Sequence, residues 1–186
     1  DVYKRQGLMF IGGFWHDPNE DAVIYFVNEI LPLITGQLPD IVLHVIGSNM
    51  PESIRSLASE HVKPVGYVPD VTGYFESCRV FVSPLRFGAG MKGKVGQSIA
   101  HGLPVVTSSI GAEGMMLENG RTALIADTPK DTAAAIVRLY TDEALWERVG
   151  SDALQHLEAN FSVHSAESRI AKIFSRHPVT TPVHAR

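Results

Sequence analysis

Residues 79–109 read RVFVSPLRFGAGMKGKVGQSIAHGLPVVTSS, and this stretch decides the fold. Its first apolar run, 80–82, is β-branched and aromatic, as buried strands are. A loop follows with glycines at 88, 90 and 93. Residues 94–101 then carry a helical pattern that stops at Gly102, and 104–107 begin another strand. The order is strand, glycine-rich loop, helix, strand. In an open parallel sheet, ligands bind at the loops leaving the carboxyl ends of strands. Lys92 and Lys94 stand where this loop turns into the helix.

The same alternation extends in both directions. Upstream, 8–11 is a strand closed by Gly12-Gly13. Pro18 suits the first turn of the next helix, and Asp17 is placed to cap it. Val23, Phe26, Val27, Ile30, Leu31 and Ile34 recur at helical spacing until Gly36. Residues 41–46 and 62–68 read as strands, with a short helix at 52–59 opened by Pro51. Asp70 caps another short helix that runs through Phe75. Downstream, 123–126 is a strand after the turn signal Asn119-Gly120. Helices follow at 129–140, 143–160 and 163–174. Their expected buried faces are Ala133/Ile136/Val137/Tyr140, Leu145/Val149/Leu154/Leu157 and Ala166/Ile170/Ile173/Phe174.

This pattern implies the α/β class. The expected architecture is a doubly wound, Rossmann-like parallel sheet of about six strands with helices on both faces. One domain covers 7–176. The tail 177–186 reads as frayed. Residues 1–6, DVYKRQ, look like a translated sequencing-adapter scar and are set aside.

The chain's 186 residues suffice for one well-buried domain. With 45% hydrophobic and 19% charged residues, the composition excludes a disordered chain. A net charge of −4 gives no general attraction to nucleic acid or to an anionic membrane. No apolar run approaches the roughly 20 residues of a membrane helix. The single cysteine, Cys78, allows no internal disulfide and fits a reducing, cytoplasmic setting. It reads as a packed thiol rather than a nucleophile.

Five strand-to-helix loops, 12–16, 47–50, 67–70, 84–93 and 108–114, fall on one predicted sheet edge, and three of them are candidate ligand loops. The strongest is 88–94, GAGMKGK. Glycines admit close approach to backbone N–H groups, and a helix amino terminus adds free N–H donors and partial positive charge. A flexible turn with two solvated lysines is the competing reading. Position after a buried strand and before a helix favours a phosphate site. The spacing matches neither a nucleoside-triphosphate loop nor a dinucleotide fingerprint. Gly12-Gly13 is the second loop, open to phosphate approach or to tight packing. The third is 108–114, where Glu113 is either a hydroxyl acceptor or a solvated acid. No His/Cys/Asp/Glu grouping has metal spacing. His16, His101, Trp15 and Trp146 read as structural or packing residues.

Taken together, these segments resemble the carboxy-terminal domain of retaining glycosyltransferases of the GT-B fold, the glycosyl transferases group 1 (family four). The matching stretches are FIGGF at 10–14 with PNEDA at 18–22, LHVIG at 43–47 and VGYVPD at 65–70. PLRFGAGMKGKV at 84–95, AHGLPVVT at 100–107, GAEG at 111–114 and Asn119-Gly120 complete the set. The resemblance spans roughly residues 8–175.

It implies one half of a two-domain enzyme whose acceptor-binding domain lies amino-terminal to this one. It implies a nucleoside-diphosphate sugar as substrate and neither a cofactor nor a metal. Gly12, Gly13, Gly90 and Met91 would approach the donor through backbone groups. Lys92 and Lys94 would neutralise the diphosphate, and the Val68 backbone would meet the base. The family often has glutamates at the positions of Ala89 and Gln97. Gln97 retains a carbonyl acceptor for the ribose hydroxyls but carries no charge. A basic pair is also missing, because 14–22 contains neither Lys nor Arg. No catalytic side chain is named. Two alternatives stay open: a nucleotide- or partner-binding module without catalysis, and a sugar-nucleotide epimerase of the same fold.

Overall fold

The computed structural model describes residues 5–176. Six strands form one sheet: β1 (Leu8–Ile11), β2 (Leu43–Ile46), β3 (Val62–Gly66), β4 (Val80–Ser83), β5 (Val105–Thr107) and β6 (Leu124–Ile125). Their order is β3-β2-β1-β4-β5-β6, and every pairing is parallel. The doubly wound sheet expected from the sequence is therefore the one observed. β2 and β3 are shorter than their apolar runs. Gly66 sits at φ +84 and takes the chain out of strand geometry before Val68. Pro64 is tolerated because β3 is an edge strand.

The helices are α1 (Asp17–Tyr25), α2 (Leu31–Thr35), α3 (Glu52–Arg55), α4 (Thr72–Ser77), α5 (Gly93–Ala100), α6 (Ser109–Ala112), α7 (Pro129–Thr141), α8 (Glu143–Phe161) and α9 (Val163–Arg176). A π-helical turn, Phe26–Ile30, joins α1 to α2. Pro32 lacks an N–H for the Asn28 carbonyl and its ring crowds that carbonyl. Widening the turn just before it relieves that conflict.

The strands place alternate side chains on opposite faces. Leu8, Phe10, Val80 and Val82 pack with Phe26, Ile34 and Ile136 from one helical layer. Met9 and Phe81 pack with Phe75, Val95 and Ile99 from the other. Trp146, on the buried face of α8, is a packing residue and donates from Nε1 to the Arg79 carbonyl at 2.6 Å. Arg5 joins the fold through a 2.9 Å bond to the Phe75 carbonyl. Gln6 donates its backbone N–H to Ser77 at 2.7 Å.

Four expectations are corrected. Asp17 is not the cap of α1: His16 holds the N-cap position without a side-chain bond, and Asp17 is the first helical residue. There its charge faces the positive end of the helix dipole. Asp70 accepts from the Thr72 N–H at 2.9 Å, but the N-cap of α4 is Val71, one residue later. Segment 108–114 is not all loop, because Ser108 caps the short α6 by accepting from the Gly111 N–H at 3.0 Å. The face of α9 is not buried: Ile170, Ile173 and Phe174 are 54–62% exposed. That helix has the expected periodicity, but no described element covers the stripe. The tail expectation for 177–186 lies outside the described residues. Among the described residues no helix is long and apolar enough to cross a membrane.

Candidate functional site

After β3 the chain crosses back to place β4 beside β1. The loops after β1 and β4 therefore diverge toward opposite helical layers, and a crevice opens at their carboxyl ends. The two strongest glycine segments of the sequence both lie there. Between them is a cavity of about 190 Å³ whose lining includes Asn19, Gly88, Met91, Lys92 and Lys94.

The β1 loop is folded around its own side chains. A β-carbon on Gly12 would come 2.8 Å from Cγ of Asn19, and one on Gly13 would run into the Trp15 indole. Both glycines thus make room for side chains of this chain. Trp15 corrects the sequence reading: it is 74% exposed and is no packing residue. Its ring lies over Gly13, where a side chain would otherwise stand, and faces solvent. Gly47, at the end of β2, backs the same loop, because a β-carbon there would overlap the Gly12 carbonyl.

The β4 loop is held differently. Gly88 and Gly90 take φ of +113 and +79, which favours glycine. A β-carbon on Gly114 would lie 3.2 Å from Cα of Met91, so Gly114 lets the α6 end close on this loop. Met91 itself is 60% exposed. Lys92 is buried, with Nζ donating to the Gly90 carbonyl at 2.5 Å and lying 3.6 Å from Glu113 Oε2. Lys92 is also the N-cap of α5, and no side chain caps that helix. The first N–H groups of α5 therefore remain available to a ligand.

Lys94 lies one residue into α5. Its Nζ donates to Asn19 Oδ1 and stands 4.4 Å from the centroid of the Phe10 ring. Burial, reinforced by the Lys92 charge, pulls its pKa down from 10.5 to about 7. Beside the loop, Arg86 pairs with Asp21 and stacks 4.8 Å over the Tyr25 ring.

The structure brings Lys92, Lys94, Gly90 and Met91 to one side of the crevice and Gly12 and Gly13 to the other. Gln97 is exposed on α5, one turn beyond Lys94. Val68 lies past the end of β3 and packs against the second core layer. His101 stacks on Phe75 at 4.6 Å, a structural role as expected. Cys78 is a packed thiol, and burial pushes its pKa up to about 11. Among the described residues no group of acids, histidines or cysteines is arranged to hold a metal. A larger cavity, about 700 Å³, opens at the opposite edge beside Gly7, His44, Lys63 and Arg79, away from every glycine loop of the crevice.

Sequence reasoning missed Asn19. Its signal was an asparagine directly after Pro18, in the first turn of the helix that follows a glycine loop.

The family model for glycosyl transferases group 1 matches residues 5–142. The chain belongs to this family. Over 170 residues it is 27% identical to the lipopolysaccharide core biosynthesis mannosyltransferase LpcC of Rhizobium leguminosarum bv. viciae, covering 86% of this chain and 48% of that protein. Among solved structures, TarM superposes with a TM-score of 0.76 at 17% identity, over 92% of this chain and 35% of TarM. Anabaena Alr3699/HepE in complex with UDP-glucose gives 0.72 at 14% identity, over 94% of this chain and 50% of that one. These two likenesses establish a shared fold. This group 1 chain spans about half the length of the curated relatives it matches.

Proposed function

We propose that this chain is the donor-binding half of a retaining group 1 glycosyltransferase, taking a nucleoside-diphosphate sugar and acting with an amino-terminal acceptor domain in the cytoplasm. The observation that carries the reading is Lys94, held beside the uncapped start of α5 and facing the β1 loop across the crevice. Backbone N–H groups and one ammonium at the same point suit a diphosphate. The cavity of about 190 Å³ has room for a diphosphate rather than a whole sugar nucleotide, so on this reading Val68, Gln97 and the other domain would supply the remaining contacts.

Transfer would follow from leaving-group stabilisation. As the anomeric C–O bond breaks, charge develops on the departing diphosphate. Lys94 and the α5 N–H groups meet that charge without reorganising. The acceptor hydroxyl adds to the same face of the sugar, and its proton passes to the departing phosphate oxygen. No metal is required, because the positive charge is supplied by the protein.

Calorimetric titration of the chain with UDP-glucose and GDP-mannose tests the reading. Saturable binding of one of them supports it, and absence of binding by both the chain and its full-length parent overturns it. A second reading, binding without transfer, is favoured by Gln97, which is exposed and uncharged where the family often has glutamate. Gln97→Glu in the full-length parent separates the two. A rise in transfer marks a weakened enzyme, and a parent inactive in both forms marks a binding module.

A further inference from the structure

Asn19 is the side chain through which the two halves of the crevice meet. It is 5% exposed. Its Nδ2 donates to the Gly13 carbonyl at 2.8 Å, and its Oδ1 accepts from Lys94 Nζ, contributed by a helix 75 residues away in sequence. The Gly13 carbonyl can only accept, so the amide cannot be turned around. Oδ1 must face the lysine. Gly12 reserves the space, because any β-carbon there would collide with the Asn19 amide.

The groups facing Lys94 are few. The Asn19 amide comes from α1, the Phe10 ring from β1 and the Lys92 ammonium from the preceding loop. Glu113 is directed to Lys92. Among the described residues no carboxylate pairs with Lys94. Asn19 supplies an acceptor without supplying a charge. A carboxylate in its place would neutralise the ammonium before any ligand arrived, whereas a neutral amide leaves that charge for an incoming anion.

We propose that Asn19 is the positioning residue of the donor site: its amide ties Lys94 to the β1 turn, inward and without a counter-ion, so that an arriving diphosphate becomes the counter-ion. The proposal rests on the donor-site reading, which adds the identity of the anion. Burial without a counter-ion holds the lysine near its midpoint at about pH 7. A diphosphate beside it favours the protonated form.

The test reads Lys94 directly, with no nucleotide present. The full chain is labelled with 13C- and 15N-lysine, and the Lys94 side-chain signal is assigned by its loss in Lys94→Arg. It is then titrated by NMR in wild type, Asn19→Asp and Asn19→Ala. Asn19→Asp, nearly the same shape, should raise the proton affinity of Lys94 about tenfold or more. Asn19→Ala should release the side chain and return its midpoint toward that of an ordinary lysine. A Lys94 midpoint unmoved by Asn19→Asp overturns the proposal, and this variant decides should Asn19→Ala not fold.

UDP-glucose then separates the proposal from the reading beneath it. Its diphosphate diester does not titrate near neutrality. Wild-type affinity should fall as pH rises past the Lys94 midpoint, and Asn19→Asp should bind about tenfold more weakly at pH 7. Lys94 midpoints that move as stated, with no nucleotide bound by any form, overturn the donor reading and support the hold of Asn19 on Lys94. Tight UDP-glucose binding that is independent of pH and of Asn19 overturns the positioning role.

Discussion

Replacing Lys94 by methionine should change how folding stability depends on pH. Burial, with the Lys92 charge second, lowers the pKa of Lys94 from 10.5 to about 7 in the folded chain. The unfolded chain restores the ordinary value. Below about pH 7 both states hold the proton, and the folded state bears the full cost of a poorly hydrated ammonium. Between about pH 7 and 10.5 the folded lysine is neutral while the unfolded one still binds a proton. Unfolding then takes up a proton, so wild-type stability rises with pH across this window.

Each pH unit of displacement corresponds to about 1.4 kcal/mol, which sets a ceiling of about 5 kcal/mol for the whole window. Lys94 still reaches the mouth of the crevice, where water responds to the charge. About 2–3 kcal/mol is therefore expected. Methionine keeps an unbranched apolar side chain of similar length, gives up the ammonium over the Phe10 ring and removes the titration. It also leaves Asn19 Oδ1 without its donor, a roughly 1 kcal/mol loss that does not vary with pH. Urea unfolding followed by circular dichroism at steps from pH 6 to pH 10 reads the difference. The methionine variant should gain on wild type most at pH 6, and the gap should shrink steadily toward pH 10. Parallel stability curves would refute the reasoning, because they would mean that Lys94 ionises alike in both states.

Gly47→Ala should destabilise the domain by about 2 kcal/mol or more, since the new methyl must displace the Gly12 carbonyl. Thermal unfolding measures this, and an unchanged midpoint would show that the β1 loop yields freely. Cys78 should resist thiol labelling at pH 8 in the native chain and react at the rate of global unfolding, because burial holds its pKa at about 11. Rapid native labelling would show that the segment between α4 and β4 opens locally.

Much of the fold was legible because strand runs and helical spacing state local geometry directly. The run at 80–82 and the glycines after it located β4 and its loop, and the periodicity of 163–174 located α9. What local pattern does not state is what an element packs against. The apolar stripe of α9 follows the same helical period as that of α7, yet Ile170, Ile173 and Phe174 are exposed whereas Ala133 and Ile136 are buried. Trp15 failed for a related reason: its exposure follows from Gly13 beneath it and from a short connection that keeps the ring outside. The π turn at Phe26–Ile30 depends on a clash with Pro32 that periodicity averages away. Asn19 was the deepest omission. Its two partners are a backbone carbonyl in the preceding turn and a lysine brought next to it only when β4 crosses back beside β1.

The residues from β4 into its loop change character abruptly. Those at 80–85 are all buried, whereas Arg86, Phe87, Ala89, Gly90 and Met91 are exposed. Substitution in the first group disturbs the core on both sides of the strand, whereas substitution at Phe87, Ala89 or Met91 disturbs little beyond the mouth of the crevice; Arg86 would lose an exposed ion pair, and Gly90, at φ +79, stays restricted to glycine. Tolerance to mutation therefore switches within a single step of the chain. If the proposed donor site is right, a lineage carrying this domain could explore new sugars or bases by drifting at Phe87, Ala89 and Met91, while the ammonium, the turn and the strand order stay fixed. Divergence in specificity would then leave its record in a handful of exposed loop positions, and deep mutational scanning should find the steepest gradient of tolerance in the molecule between Leu85 and Arg86.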